Sequence, residues 1–297
     1  MEQWYSWGLA VIRWIQQIES PLLTGLMKGI TFLGSEYAYL ALIPFVYWCI
    51  DEQKGLRLGI TFVLSAWLNG ALKEWLHQPR PYELDPAVGL AREDSFGIPS
   101  GHAQLTLTFW GIAGPWIHRR WGVVLVVGLS LLVGFTRLYL GVHFPTDVVA
   151  GWLVGLGVLA VYYLGYSTIE SYLKNIPPRF LLLLAALLAF CMNALNPKDV
   201  SFGGVFFGMC LGVLLVSPSL GFRASEGPEG KPAIRTTRAL RYGLGIVGVL
   251  LLYAGLKPLL PPEGAAWYQA GRFVRYGLIG LWVSGGAPWL FKRVKLA

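Results

Sequence analysis

In the stretch GFTRLYLGVHFPTDVVAGW, Gly134 to Trp152, Arg137, His143 and Asp147 stand at spacings of six and four in an otherwise apolar setting. A cation, an imidazole and a carboxylate so placed have a chemical use. Residues four apart at the start of a helix share a face. Asp147 can therefore hold one imidazole N–H of His143, fix its tautomer and leave the other nitrogen free to attack. Two more stretches supply what such a nucleophile requires. KEWLHQPRP, Lys73 to Pro81, contributes Lys73 and Arg80, and GIPSGHA, Gly97 to Ala103, contributes Ser100, Gly101 and His102. Lys73, Arg80 and Arg137 offer donors and no acceptors, which suits a dianionic phosphate. Ser100 follows Pro99 where a helix can begin, so it reads as an N-cap, and the unpaired amides of a first turn bind anions. Gly101 lets a ligand approach the backbone, and His102 can give a proton to a leaving oxygen. Nucleophile, acid and cationic clamp make a phosphoryl-transfer site that uses no metal or other cofactor. Taken singly, each residue has a structural reading: cations snorkel at span ends, and a buried His–Asp pair can brace helices. Their joint spacing favours chemistry.

The elements that must position these residues are membrane helices. The chain has 297 residues, of which 55% are hydrophobic and 13% charged, against roughly a quarter charged in a soluble domain. Apolar runs are continuous rather than alternating, which predicts an all-α polytopic membrane bundle and speaks against strands. The runs lie near 36–50, 55–75, 101–117, 121–136, 143–163, 180–195, 200–216, 240–256 and 273–291. They give about nine spans, or ten if 20–34 also crosses. Before them, Trp4, Trp7, Val11, Trp14, Ile15 and Ile18 recur at helical spacing opposite Arg13, Gln16 and Gln17, the pattern of an interfacial amphipathic helix. We therefore expect one integral-membrane domain over 1–297: interfacial helices in 1–35, a catalytic core in 36–165 and a four-helix extension in 166–297.

The net charge of +8 does not indicate nucleic acid. The basic residues lie in short loops without interleaved aromatics, and their larger share falls on one set of loops. That side faces the cytoplasm, leaving the N-terminus and all three chemical stretches outside. No cleavable signal is evident in MEQWYSWG, which lacks a basic region. Cys49, Cys191 and Cys210 read as small core residues without disulfides. Glu83, Asp85, Glu93 and Asp94 read as a solvated loop rather than a metal cluster, and His77 as a structural or interfacial histidine.

The pattern Lys-x6-Arg-Pro, Pro-Ser-Gly-His and Arg-x5-His-x3-Asp resembles the type 2 phosphatidic acid phosphatase superfamily, which includes the vanadium haloperoxidases. Lys73, Arg80, Pro81, Pro99, Ser100, Gly101, His102, Arg137, His143 and Asp147 match it, over roughly residues 56–165. Thr136 stands where the third motif usually has Ser, and it keeps the hydroxyl. The resemblance implies a phosphorylated His143, protonation of the leaving alkoxide by His102 and orientation of His143 by Asp147. Lys73, Arg80, Ser100, the Gly101 amide and Arg137 would hold the phosphoryl oxygens. The layout outside the motifs is similar to the glucose-6-phosphatase branch.

The leading expectation is a metal-independent phosphatase for a phosphomonoester or pyrophosphate of a lipid. Its site would lie at the outer face of a bacterial inner membrane, with membrane lipids as neighbours. The alternatives are a phosphatase for a soluble sugar phosphate and a phosphate-binding transporter or scaffold. Broken helices at the membrane midplane and a repeated half would favour transport, and neither is visible.

Overall fold

The computed structural model describes residues 2–117 and 119–297. Its order is α1 (Glu2–Ile15), α2 (Pro21–Phe32), α3 (Glu36–Phe45), α4 (Glu52–Leu76), α5 (Pro81–Leu84), α6 (Gly101–Ala113), α7 (Arg119–Tyr139), α8 (Pro145–Leu173), α9 (Pro178–Leu195), α10 (Ser201–Leu211), α11 (Ser217–Leu220), α12 (Arg235–Leu250), α13 (Tyr268–Leu281) and α14 (Ala287–Arg293). Among the described residues there are no strands. Among them, six helices are long and apolar enough to cross a membrane, or seven if the bent pair Pro21–Phe32 and Glu36–Ile50 makes one span. Leu153, Leu164, Leu183 and Phe190 are exposed on them, as lipid-facing side chains are. The chain is an integral membrane protein.

That number differs from the expected nine for physical reasons. The run at 101–117 forms only the 13 residues of α6 before a 3-10 turn, a rise of about 20 Å against a hydrocarbon core of about 30 Å. The run at 273–291 belongs to a stretch that is helical from Tyr268 to Arg293, but Arg272, Arg275, Lys292 and Arg293 lie near its two ends and lower its hydropathy. In the N-terminal segment, Trp4, Trp7 and Trp14 are exposed, whereas Ile12 and Ile15 are buried. Gln16, expected on the polar outer face, instead donates to the carbonyls of Val88 and Tyr139, each at 2.8 Å.

The chain divides into two compact units, Met1–Tyr39 with Leu68–Tyr166, and Leu40–Trp67 with Ser167–Ala297. In the first, Ile15, Met27, Tyr82, Tyr139, Leu140 and Val142 form a buried apolar cluster. In the second, α10 and α13 approach so closely that a Cβ on Gly204, Gly208 or Gly280 would run into the facing backbone. Trp48, Phe222 and Phe291 pack into its core. The three cysteines are free; Cys49 is buried, but Cys191 is exposed, because it lies on the outward side of α9 rather than in the core expected for it.

Arg241 is fully buried in this second unit. Its guanidinium donates to the carbonyls of Leu296 (2.9 Å), Ala224 (3.0 Å) and Glu226, tying the C-terminal end to the 221–234 loop. Hydrogen bonds from a charged donor contribute about 1.5–3 kcal/mol each. Arg241→Met is therefore expected to lower the thermal-unfolding midpoint of the detergent-solubilised protein markedly, by the equivalent of roughly 3 kcal/mol or more. An unchanged midpoint would show that these carbonyls are as well served without the arginine.

Candidate active site

The sequence-predicted residues meet at one end of the first unit, where α4 stops, α6 and α8 begin and α7 ends. Each helix terminus has a local cause. Pro145 opens α8 as the first helical residue, where its missing N–H is not needed. His143 consequently precedes the helix rather than starting it, contrary to the expected span at 143–163. The turn that carries it closes through Gly141, whose φ of +66° favours glycine. Asp147 lies in the first turn of α8. Its Oδ2 accepts the Phe144 amide at 2.8 Å and faces His143 Nδ1 at 3.3 Å. The expected pairing is present, with the carboxylate serving helix start and imidazole together. His143 Nε2 is left pointing towards Arg80, with Nη1 at 3.4 Å.

At the start of α6, Ser100 occupies the N-cap position, but its side chain caps nothing. Its amide donates to the Asp147 carbonyl at 2.9 Å, which joins the starts of α6 and α8. Its Oγ is buried and has no partner. Asn69 holds the turn from the α4 side, donating to Pro99 O at 3.2 Å and Gln104 Oε1 at 2.8 Å. A Cβ on Gly101 would come 3.0 Å from the Asn69 amide oxygen, so a larger residue there would have to push the Asn69 side chain aside.

The cations are deeply placed: Lys73, Arg80 and Arg137 are 7%, 0% and 2% exposed. Lys73 does not open onto the site as expected. Its ammonium donates to the Phe96 and Gly97 carbonyls and so anchors the segment leading to Ser100. Arg80 uses its whole fork, reaching Ser95 O, Ser95 Oγ (3.0 Å), Val142 O (2.8 Å) and His143 Nε2. Arg137 donates to Thr31 Oγ1 at 2.7 Å, and its Nε is buried without a partner.

Glu93 completes the arrangement and overturns one expectation. It is not a solvated loop residue: one carboxylate oxygen pairs with Arg80 Nη2 at 2.9 Å and the other with Arg137 Nη2. His102 Nδ1 and His143 Nε2 each lie 3.9 Å from a Glu93 oxygen. Burial pushes the Glu93 carboxyl up, but Arg137, His102, Arg80 and Lys73 together pull it down to about 2. The other acidic residues of this region do not join it. Glu83 accepts the Arg80 amide at 3.1 Å, and Asp85 pairs with Arg13 at 2.8 Å. His77 rests against Phe96, ring centroids 4.5 Å apart. The signal that could have found Glu93 is the charge imbalance itself, since three buried cations require an anion.

Helices long and apolar enough to cross a bilayer define an integral membrane protein, and one end of its first unit gathers three buried cations, a carboxylate and two histidines. The sequence pattern of the "PAP2 superfamily" matches residues 54–171, and that of the "PAP2 superfamily phosphatase, transmembrane extension" matches residues 200–297. The chain is 32% identical to phosphatidylglycerophosphatase B of Bacillus subtilis, over 47% of this chain and 73% of that protein. It is 29% identical to an undecaprenyl-diphosphatase of Sulfolobus acidocaldarius, over 52% of this chain and 76% of that protein. It is 30% identical to sphingosine-1-phosphate phosphatase 2 of Mus musculus, over 50% of this chain but 44% of that protein, so it spans less than half of the latter. The chain belongs to the PAP2 superfamily, with its transmembrane extension.

Burial, reinforced by the charges of Arg80, Lys73 and Arg137, holds the His143 imidazole well below its usual range. The unfolded chain takes up that proton near pH 6.5, as an ordinary histidine does, and the folded chain only at lower pH. Protons thus favour the unfolded state, and stability falls as pH drops below about 6.5. Thermal unfolding measured from pH 8 to 5 is expected to show this loss, and His143→Asn to lessen it. An equal acid loss in the variant would mean that His143 titrates normally.

Proposed function

We propose that the protein is a membrane phosphatase that releases phosphate from a phosphorylated lipid through a phosphohistidine intermediate. The observation that carries this reading is the position of the Glu93 carboxylate. It marks a point at which an anion touches Arg80 and Arg137 and lies 3.9 Å from both His143 Nε2 and a nitrogen of His102. A phosphoryl group there has its nucleophile on one side and its proton donor within reach.

The reaction follows from those places. His143 Nε2, kept as the acceptor nitrogen by Asp147 on Nδ1, attacks phosphorus. Burial and the neighbouring cations hold the His102 imidazole down at about 3, so it takes up its proton when the phosphate dianion adds its charge to the cradle. The bond from phosphorus to the lipid oxygen then breaks, and His102 gives that proton to the departing alkoxide or phosphate. His102, now neutral, takes a proton from water as the water oxygen bonds phosphorus, the P–N bond breaks, and His143 is restored with release of phosphate. Arg80, Arg137, the Ser100 hydroxyl and the first amides of α6 stabilise the charge on the equatorial oxygens. Lys73 contributes through the Phe96–Gly97 backbone it holds and through its charge. With these groups neutralising the phosphoryl charge, the chemistry needs no metal.

The lipid class is supported by the relatives, whose names carry phosphatidylglycerophosphate, undecaprenyl diphosphate and sphingosine 1-phosphate. It is supported also by the apolar helices that flank the site. The loop charges favour the outer face of the membrane, with the C-terminus in the cytoplasm. Phosphate release is to be measured with detergent-solubilised protein and a chelator, on phosphatidate, phosphatidylglycerophosphate, a prenyl diphosphate, sphingosine 1-phosphate and glucose 6-phosphate. Turnover of at least one lipid, greater than that of the sugar phosphate, is expected. His143→Ala should abolish it, and His102→Ala should slow it by about 10²–10⁴-fold. Full turnover by a folded His143→Ala protein would exclude the mechanism.

A further inference from the structure

We propose that Glu93 is a displaceable internal ligand of the cationic cradle, and that it makes the site accept phosphomonoesters while excluding phosphodiesters. The inference rests on the cradle being the phosphate site.

A cradle of buried cations beside a bilayer has a selectivity problem. Ordinary phospholipids present a phosphodiester monoanion at high local concentration, and two guanidinium groups would bind it readily. Glu93 answers this directly. Its carboxylate already satisfies one N–H of Arg80 and one of Arg137, and it stays ionised because its pKa is drawn down to about 2. A diester brings the same single charge and gains little by replacing it. A monoester dianion brings a second charge and a third non-bridging oxygen. The cradle holds donors that the carboxylate leaves unused: Arg137 Nε and Ser100 Oγ are buried without partners. Only the larger, more highly charged group can engage them along with the two arginines.

Movement of the side chain alone would release the anion. Glu93 sits on a segment without helix or strand between Val88 and Gly101. Its side chain is 26% exposed, against 0% and 3% for those of Arg80 and Arg137. Its backbone is fixed: Tyr82 Oη donates to the Glu93 carbonyl at 2.7 Å and accepts from its amide at 3.2 Å. On either side, Leu90 N–H donates to Leu140 O at 3.1 Å and Gly97 N–H to Gln78 O at 2.8 Å. The segment therefore stays in place while the side chain swings outward, a rotamer change and not a loop opening.

The test is Glu93→Gln, which keeps the shape and removes the charge. With a monoester lipid as substrate, phosphatidylglycerol is expected to inhibit the wild-type protein weakly and the variant competitively, with a Ki lower by about tenfold or more. The KM for the monoester should fall, and Glu93→Asp should retain the exclusion. Equal inhibition of wild type and Glu93→Gln by phosphatidylglycerol would overturn the proposal. So would a fall in kcat with KM unchanged, which would place Glu93 in the chemistry instead. Thermal shift by inorganic phosphate separates this inference from the phosphatase reading. If no substrate is turned over, tighter phosphate binding by Glu93→Gln still upholds the internal ligand, and unchanged binding refutes it.

Discussion

Three cations taken out of water at one end of a helical unit impose the condition on which the site depends. An isolated buried guanidinium or ammonium loses several kcal/mol of solvation in a low-dielectric setting, and each of the three meets that cost differently. Lys73 turns to backbone carbonyls. Arg80 spends its entire fork on Ser95, Val142, His143 and Glu93. Arg137 is the least satisfied, with Thr31 and Glu93 as acceptors and a buried Nε left over. A site whose cations were all fully paired internally would have no affinity to offer a phosphate. One whose cations were all unpaired would not fold. The division of labour leaves Arg137 and Ser100 as the groups with capacity in reserve.

The same constraint explains why the chain is irregular here. Lys73 and Arg80 need acceptors, and helices have none to spare except at their ends. The stretch from Ser95 to Ser100 is non-helical and gives up its carbonyls at Ser95, Phe96 and Gly97 to those two cations. A longer α6, begun earlier to span the bilayer fully, would consume these carbonyls in its own ladder. Its 13 residues are thus the counterpart of the cation-holding segment before it. In the second unit, by contrast, close approach of backbones dominates. Gly204, Gly208 and Gly212 recur every four residues along α10 and its π turn, and the first two meet α13, the small-residue packing used where apolar burial offers little drive.

The gathering of these side chains was legible in the sequence, because their types and spacing fall at the ends of apolar runs. His143, Asp147, His102, Arg80 and Arg137 were expected to converge there, and the structure brings them together. What stayed hidden had no type-specific signal. Glu93 lies among Arg92 and Asp94, and a charged run in a loop reads as solvated until the neighbouring buried cations are counted. The carbonyl partners of Lys73 are backbone, which sequence does not distinguish. The membrane-helix class followed from composition, whereas the number of spans did not, since hydropathy alone marks neither the 3-10 turn that ends α6 nor the charged ends of the 268–293 stretch. The α10 glycines were visible at regular spacing but share no chemistry with the motifs. Cys191 shows the opposite failure, for an apolar run has an outward face as well as a core.

Asp147 gathers these strands most tightly. Its Oδ2 is shared between the Phe144 amide and His143 Nδ1, while its carbonyl accepts the Ser100 amide. One residue therefore fixes where α8 starts, how the imidazole is turned and where α6 begins relative to both. The spacing of four reaches back from the first turn of a helix to an imidazole just outside it, with Pro145 marking the boundary between them. The orientation of His143 is thus tied to the start of α8. The Nδ1 contact to Asp147 does not involve Glu93, so the internal anion can leave with that contact intact.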